Sequence, residues 1–186
     1  MIEKVLITGA SGFVGYHLTR AAKDAGMEVH AAVRKSSDVS EIRSVVDKFV
    51  YPDFSDEESI RELLEAENYT YVVHAAAMTR AKHEEDLEKV NVGYTKNLAS
   101  ACFSLKTPIK RFVFVSSLAA IGPVDYDAQL IDESSPYRPV TAYGRSKRKA
   151  ELALNDFKDQ PLTILRPTAV YGPREKDIFI VFKTMN

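Results

Sequence analysis

Tyr143 and Lys147 stand four residues apart in Tyr143-Gly144-Arg145-Ser146-Lys147. On a helix that spacing brings a phenol and an ammonium onto one face, about one turn apart. A free tyrosine titrates near 10, so drawing its proton into chemistry near pH 7 takes a fall of roughly 3 units. That is about 4 kcal/mol in favour of the anion. A lysine beside it has the right sign of charge for the task. Such a pair alone arises often by chance, and a solvated helix face is its ordinary meaning. Ser116 and Ser117 change the weight, because Val115-Ser116-Ser117 ends a β-rich run and open α/β sheets bind ligands at the carboxyl ends of their strands. A serine there can hold a substrate oxygen while Tyr143 moves the proton; terminating the strand is the alternative for one of the two.

A second candidate lies at the start of the chain. Thr8-Gly9-Ala10-Ser11-Gly12-Phe13-Val14-Gly15 follows an apolar run, Val5-Leu6-Ile7, and opens a helical pattern. Three glycines at this spacing allow a tight turn, let backbone N–H groups approach a pyrophosphate, and let helix and strand pack closely. The position predicts a dinucleotide site. Where the next strand ends, an NAD site usually offers a carboxylate to the ribose 2′-hydroxyl. This chain reads Ala32-Val33-Arg34-Lys35-Ser36-Ser37, with no carboxylate before Asp38. Arg34 and Lys35 suit a 2′-phosphate, so NADP is favoured over NAD; two solvated loop charges are the alternative. Asp53, with Phe54 beside it, follows the third strand and is placed to meet the adenine, with helix capping as the competing role.

The elements that position these groups alternate along the chain. Strands are expected at 5–7, 28–33, 49–50, 71–74, 112–115 and 162–165, and helices at 13–25, 40–46, 57–65, 87–103 and 142–157. Gly26 suits the end of the first helix, and Asp56 the cap of the third. Buried-type strands with helices between them predict an α/β fold with a doubly wound, mostly parallel sheet. The one long irregular segment, residues 122–139, carries Pro123, Pro136 and Pro139, and loops of that length are usually functional.

Composition narrows the classes. With 186 residues, 45% hydrophobic and a net charge of −1, the chain fits one folded domain rather than a disordered segment. It lacks the basic field of a nucleic-acid binder. No apolar run approaches the roughly 20 residues of a membrane span. Met1-Ile2-Glu3-Lys4 leads directly into a strand, so no signal peptide is expected. Cys102 is the single cysteine, which fits a reducing, cytoplasmic setting. His17, His30, His74 and His83 show no paired ligand spacing, and no metal is expected.

Taken in order, the segments TGASGFVG (8–15), VVHAAA (72–77), Asn91-Val92, VSSLAAIG (115–122), PVTAYGRSK (139–147) and LRPTAVYGP (165–173) resemble the extended short-chain dehydrogenases/reductases of the NAD-dependent epimerase/dehydratase group. The resemblance covers nearly the whole chain. It implies a Rossmann-type domain over 1–173, with Tyr143 the catalytic acid or base. Lys147 would lower its pKa and bind the nicotinamide ribose, and Ser117 rather than Ser116 would be the catalytic hydroxyl. Gly9, Ser11, Gly12, Phe13, Val14 and Gly15 would hold the cofactor, Ala75, Ala76 and Ala77 would pass beneath it, and Asn91 would back the site. Pro167 and Thr168 would lie near the carboxamide.

Departures from the pattern bear on substrate. Ile121-Gly122 stands where the family often has Tyr-Gly, and Tyr94-Thr95 where Gly-Thr is usual. Arg34-Lys35 is more like the dihydroflavonol and 3β-hydroxysteroid reductase branches than the sugar-nucleotide epimerases. Family members are longer, and 174–186 is expected to begin a substrate lobe of which the rest is missing, with Phe179, Val181 and Phe182 as exposed apolar surface. In the family the helices 87–103 and 142–157 often pair with a second subunit. Leu98, Ala99, Cys102, Leu152 and Leu154 would contribute to such a homodimer, core packing within the monomer being an equal explanation for some of them.

The expected activity is hydride transfer to or from a carbinol or carbonyl carbon of a small molecule, either a nucleotide sugar or a hydroxy/keto compound. The outcome would be epimerisation, dehydration or reduction. A non-catalytic dinucleotide-binding sensor or scaffold is the alternative, and the joint presence of Ser117, Tyr143 and Lys147 weighs against it. Arg145 to Lys149 read as helix charges rather than a nucleic-acid patch.

Overall fold

The computed structural model describes residues 2–124, 130–175 and 177–184. Six strands, β1 (Lys4–Thr8), β2 (Glu28–Ala32), β3 (Lys48–Val50), β4 (Tyr71–His74), β5 (Arg111–Val115) and β6 (Leu162–Leu165), form one sheet in the order β3-β2-β1-β4-β5-β6. Every neighbouring pair is parallel. The helices are α1 (Phe13–Asp24), α2 (Glu57–Glu67), α3 (Glu84–Glu88), α4 (Tyr94–Phe103), α5 (Ala142–Leu154) and α6 (Asp177–Thr184).

Strand alternation sorts the apolar residues into two layers. Leu6, Val72, Phe112 and Phe114 face α2, α4 and α5, against Ile60, Leu64, Leu98, Cys102 and Leu154. Val5, Ile7, Val29 and Ala31 face the opposite way, onto Tyr16, Leu18 and Ala22 of α1. Asp56 caps α2 by accepting from the amides of Glu58 and Ser59, at 3.1 and 3.3 Å. The sheet order reverses between β1 and β4. A crevice therefore opens at their carboxyl ends, over the glycine turn and the 75–77 segment.

Three sequence expectations need correction. Residues 40–46 are not a helix but a series of turns, with bonds from Ile42 N to Val39 O and from Val45 and Val46 N to Ile42 O. The segment is short and ends in two β-branched valines, which disfavour helix. Burial of Ile42 in the α1-side layer fixes it instead. The expected helix 87–103 starts earlier and is interrupted by a π-turn over Lys89–Gly93. Finally, Leu98, Ala99, Cys102 and Leu154 lie inside the core of a single chain, leaving Leu152, 42% exposed, as the apolar outward residue among the five named for a dimer.

The expected helix 142–157 ends in a 3-10 turn over Asn155–Phe157. In α6, Phe179 is 60% exposed, whereas the side chains of Val181 and Phe182 lie outside the described residues, as does 125–129 within the 122–139 loop. No described helix is long and apolar enough to cross a membrane.

Candidate active site

The glycine turn is built by close packing. Gly9 sits at φ +70°, and a Cβ added at Gly15 would lie 1.9 Å from the Gly9 carbonyl oxygen, so helix α1 rests directly on the turn. Gly12 N–H closes the turn onto Gly9 O at 3.0 Å. The first turn of α1 carries no acidic side chain, and the Gly12 cap offers no side-chain bond to its amides. Those N–H groups and the positive end of the helix are available to an anion.

A groove of about 590 Å³ runs over this turn. Gly9, Ser11, Gly12, Phe13, Val14 and Gly15 line one side, with Ala75 and Ala77 at its floor. Ser117, Tyr143, Lys147, Pro167 and Thr168 line the other side. Residues from opposite ends of the sequence thus converge, because β1, β4, β5 and β6 are neighbours and all end there. Ala76 lies just beneath, its amide donating to Thr8 Oγ1 at 3.1 Å.

Thr141 caps α5 by accepting from the Gly144 amide at 3.0 Å, which sets the helix start just before Tyr143. Burial pushes the Tyr143 phenol above its ordinary value, and Ser117, facing the hydroxyl, draws it partly back. The lowering expected from Lys147 is not among the influences on the phenol, whose shift is set by burial and by Ser117. Lys147, only 1% exposed, donates from Nζ to Val115 O at 2.8 Å. Its Nζ lies 4.6 Å from the Phe114 ring centre and 5.9 Å from that of Tyr143. Burial lowers its pKa to about 8, with the charge of Glu151 working in the opposite direction. An ammonium has three donors, so the single bond to Val115 leaves others for the groove.

Beneath the groove runs a chain of buried polar groups, of which sequence reasoning assigns a role to Asn91 and none to Thr8, His74 and Thr95. Thr8 donates to His74 Nδ1 at 2.7 Å, and His74 Nε2 reaches Thr95 Oγ1 at 2.9 Å. Thr95 donates to Asn91 O at 2.7 Å. These roles require neutral His74 with its proton on Nε2, a tautomer fixed by the network. Burial, helped by the Lys147 charge, lowers its pKa to about 3. Asn91 sits in the π-turn, bonding the Met78 amide and carbonyl at 2.7 and 2.8 Å and Ser146 Oγ at 2.8 Å. It backs the site without lining it.

Arg34, Asp53 and Phe54 also stay off the groove. Arg34 is exposed in a turn closed by Ser37 N to Arg34 O at 2.9 Å. Asp53 accepts from Ser55 N and Oγ at 2.9 and 2.6 Å, a local turn before the Asp56 cap. Phe54 packs on Tyr94 and His74. Conversely, Arg174 lines the groove although no motif singles it out. It pairs with Glu41 and lies 3.8 Å over the Tyr16 ring, while His17 Nε2 bonds Pro173 O at 3.1 Å. The chain after β6 is thereby tied to α1.

A profile of the NAD dependent epimerase/dehydratase family matches residues 5–184. The chain is 32% identical over 171 residues to sterol demethylase protein B of Methylococcus capsulatus, covering 90% of this chain and 52% of that one. It is 31% identical over 191 residues to a UDP-glucose 4-epimerase of Vibrio cholerae, covering 96% and 55%. Its fold is similar to the crystal structure of the Thermus thermophilus UDP-glucose 4-epimerase in complex with NAD. There the TM-score is 0.79 at 28% identity, covering 93% of this chain and 57% of that one. The chain spans about half the length of the curated relatives it matches. It belongs to the NAD dependent epimerase/dehydratase family.

Proposed function

From that membership we propose that the protein is an NAD(P)-dependent oxidoreductase of epimerase, dehydratase or reductase type, with Tyr143 as acid/base. The observation that carries the reading is the meeting of the glycine turn with Ser117, Tyr143 and Lys147 around one groove. The residues fit a dinucleotide: bare amides at the α1 start suit a pyrophosphate, and the remaining Lys147 donors suit a ribose. Bound there, the cofactor supplies the hydride acceptor or donor.

The chain's own groups do the rest. Ser117 holds the substrate oxygen, and Tyr143 gives or takes the proton on that oxygen. Lys147 orients the ribose and adds positive charge, which favours the phenolate that burial otherwise disfavours. The substrate class is a nucleotide sugar or a hydroxy/keto compound, the first supported by relatives named UDP-glucose 4-epimerase. Residues 174–186 would begin the lobe that covers it. NADP is favoured over NAD on the strength of exposed Arg34 and Lys35. Any homodimer through α4 and α5 would rest on Leu152 and the charged outer residues. Buried Cys102 suits a cytoplasmic setting.

The test is a parallel titration of the purified protein with NADH and NADPH, followed by fluorescence. Binding of NADPH about tenfold tighter, lost in Arg34→Ala, supports the 2′-phosphate role, since one lost charge-assisted contact is worth about that factor. Preference for NADH removes Arg34 from the site. Binding of neither overturns the proposal.

A further inference from the structure

Glu151 stands one helical turn beyond Lys147, as Lys147 stands one turn beyond Tyr143, so the three share a face of α5. Unlike the other two it does not line the groove. It is nevertheless 1% exposed, and a buried carboxylate is tolerated only when its lone pairs are met. Here they are met from three elements. Ser116 at the end of β5 donates to Oε1. Arg166, just past β6, donates from Nε at 3.0 Å and Nη2 at 2.7 Å to Oε2. Tyr137, from the segment before α5, donates to Oε2 at 2.7 Å and accepts from Arg166 Nη2 at 2.8 Å. With its oxygens engaged in this way, Glu151 acts on Lys147 through space, while Lys147 bonds Val115 O.

We infer that Glu151 is a positioning residue that keeps the Lys147 ammonium charged at neutral pH, and that Arg166 and Ser116 hold it in place. The other groups facing Lys147 do not supply that charge. Tyr143 and Ser117 are neutral hydroxyls, and Phe114 offers a ring face. His74 on β4 is held neutral between Thr8 and Thr95, and Arg166 carries the wrong sign. Glu175 also lines the groove, but the anion whose charge acts on Lys147 is Glu151. Lys147 is buried in a place where desolvation favours its neutral form, so loss of that carboxylate should release the proton at lower pH. The inference rests on the reading of Tyr143 and Lys147 as the acid/base pair.

The experiment follows the ε-carbon of lysine in the full chain labelled with [ε-13C]lysine, with the Lys147 signal identified by its loss in Lys147→Arg. Glu151→Gln should lower the Lys147 midpoint by about one unit or more, the effect of a nearby charge. NADH binding supplies a second readout. Near pH 6 the variant should match the wild type, and near pH 8 it should bind about fivefold more weakly, whereas a merely structural role would weaken both alike. Tyr137→Phe keeps the carboxylate and Arg166, so its Lys147 midpoint should stay within about 0.3 unit of the wild type. An unchanged midpoint in folded Glu151→Gln, or an equal shift in Tyr137→Phe, overturns the inference. Should Glu151→Gln fail to fold, the carboxyl carbon of Glu151 in the wild type decides: a shift of its signal as Lys147 loses its proton upholds the assignment, and a signal indifferent to that step rejects it. A protein that binds no dinucleotide loses the proposed function, yet the lysine titration still decides this point.

Discussion

On the inner face of α5, half-buried Tyr143 and buried Lys147 and Glu151 succeed one another at one-turn intervals, against the ends of β5 and β6. On its outer face Arg145 and Lys149 keep the same interval, exposed, each paired with a glutamate of α3, Glu84 and Glu88 respectively. The residue types are nearly the same on both sides. What separates them is solvent. Water and salt screen the outer pairs until they are worth little. Inside, each charge must be met by a specific donor or acceptor, and its proton affinity moves with its surroundings. A single helix thus carries a solubilising surface and a chemical one about half a turn apart.

The largest expected break in this contrast is Tyr143→Phe. It should reduce turnover by about 10²–10⁴-fold, the usual weight of a general acid/base, with NADH affinity within about twofold. Nicotinamide absorbance with nucleotide sugars and with hydroxy/keto compounds reads the loss; equal turnover would return Tyr143 to the class of ordinary surface phenols.

Next comes the pH dependence of stability. Lys147 is lowered from its ordinary value to about 8 in the folded protein, so between about 8 and 10.5 the unfolded chain binds the extra proton. Stability therefore rises with pH in that window, by at most ~3 kcal/mol from this group. Urea denaturation at pH 8, 9 and 10 should show the slope in the wild type and its loss in Lys147→Met.

Glu151→Ala should destabilise by about 2–3 kcal/mol. That is less than the cost of breaking a fully buried pair, because Arg166 keeps 19% side-chain exposure. Lys149→Ala marks the other extreme: a change within about 0.5 kcal/mol, vanishing in high salt. An outer substitution as costly as the inner one would erase the distinction.

Much of this arrangement was legible in the sequence, and the reasons differ by element. The strands were readable because parallel strands buried on both faces are short apolar runs, as in Phe112-Val113-Phe114-Val115. The glycine turn was readable because close packing excludes every other side chain at Gly15. Ser117, Tyr143 and Lys147 followed from their motifs. Glu151 did not, since a carboxylate four residues past a lysine has the same pattern in a buried row as in a solvated one. Its one distinguishing signal was Arg166, a cation at the end of an apolar strand. The 40–46 turns were misread because burial of Ile42 imitates one face of a helix. Arg174 escaped notice because its partners, Tyr16 and Glu41, lie more than a hundred residues away in sequence.

The π-turn at Lys89–Gly93 also keeps time along the helix. In a straight α-helix residues four apart drift around the axis by about 40° per step, so Leu87, Asn91 and Thr95 would spread over about 80°. The wider turn takes back much of that drift, and all three remain buried. The surplus residue is thus a phase correction rather than an irregularity. Deleting one residue from 89–93 would leave an unbroken, more regular helix whose two halves no longer agree on which way is in.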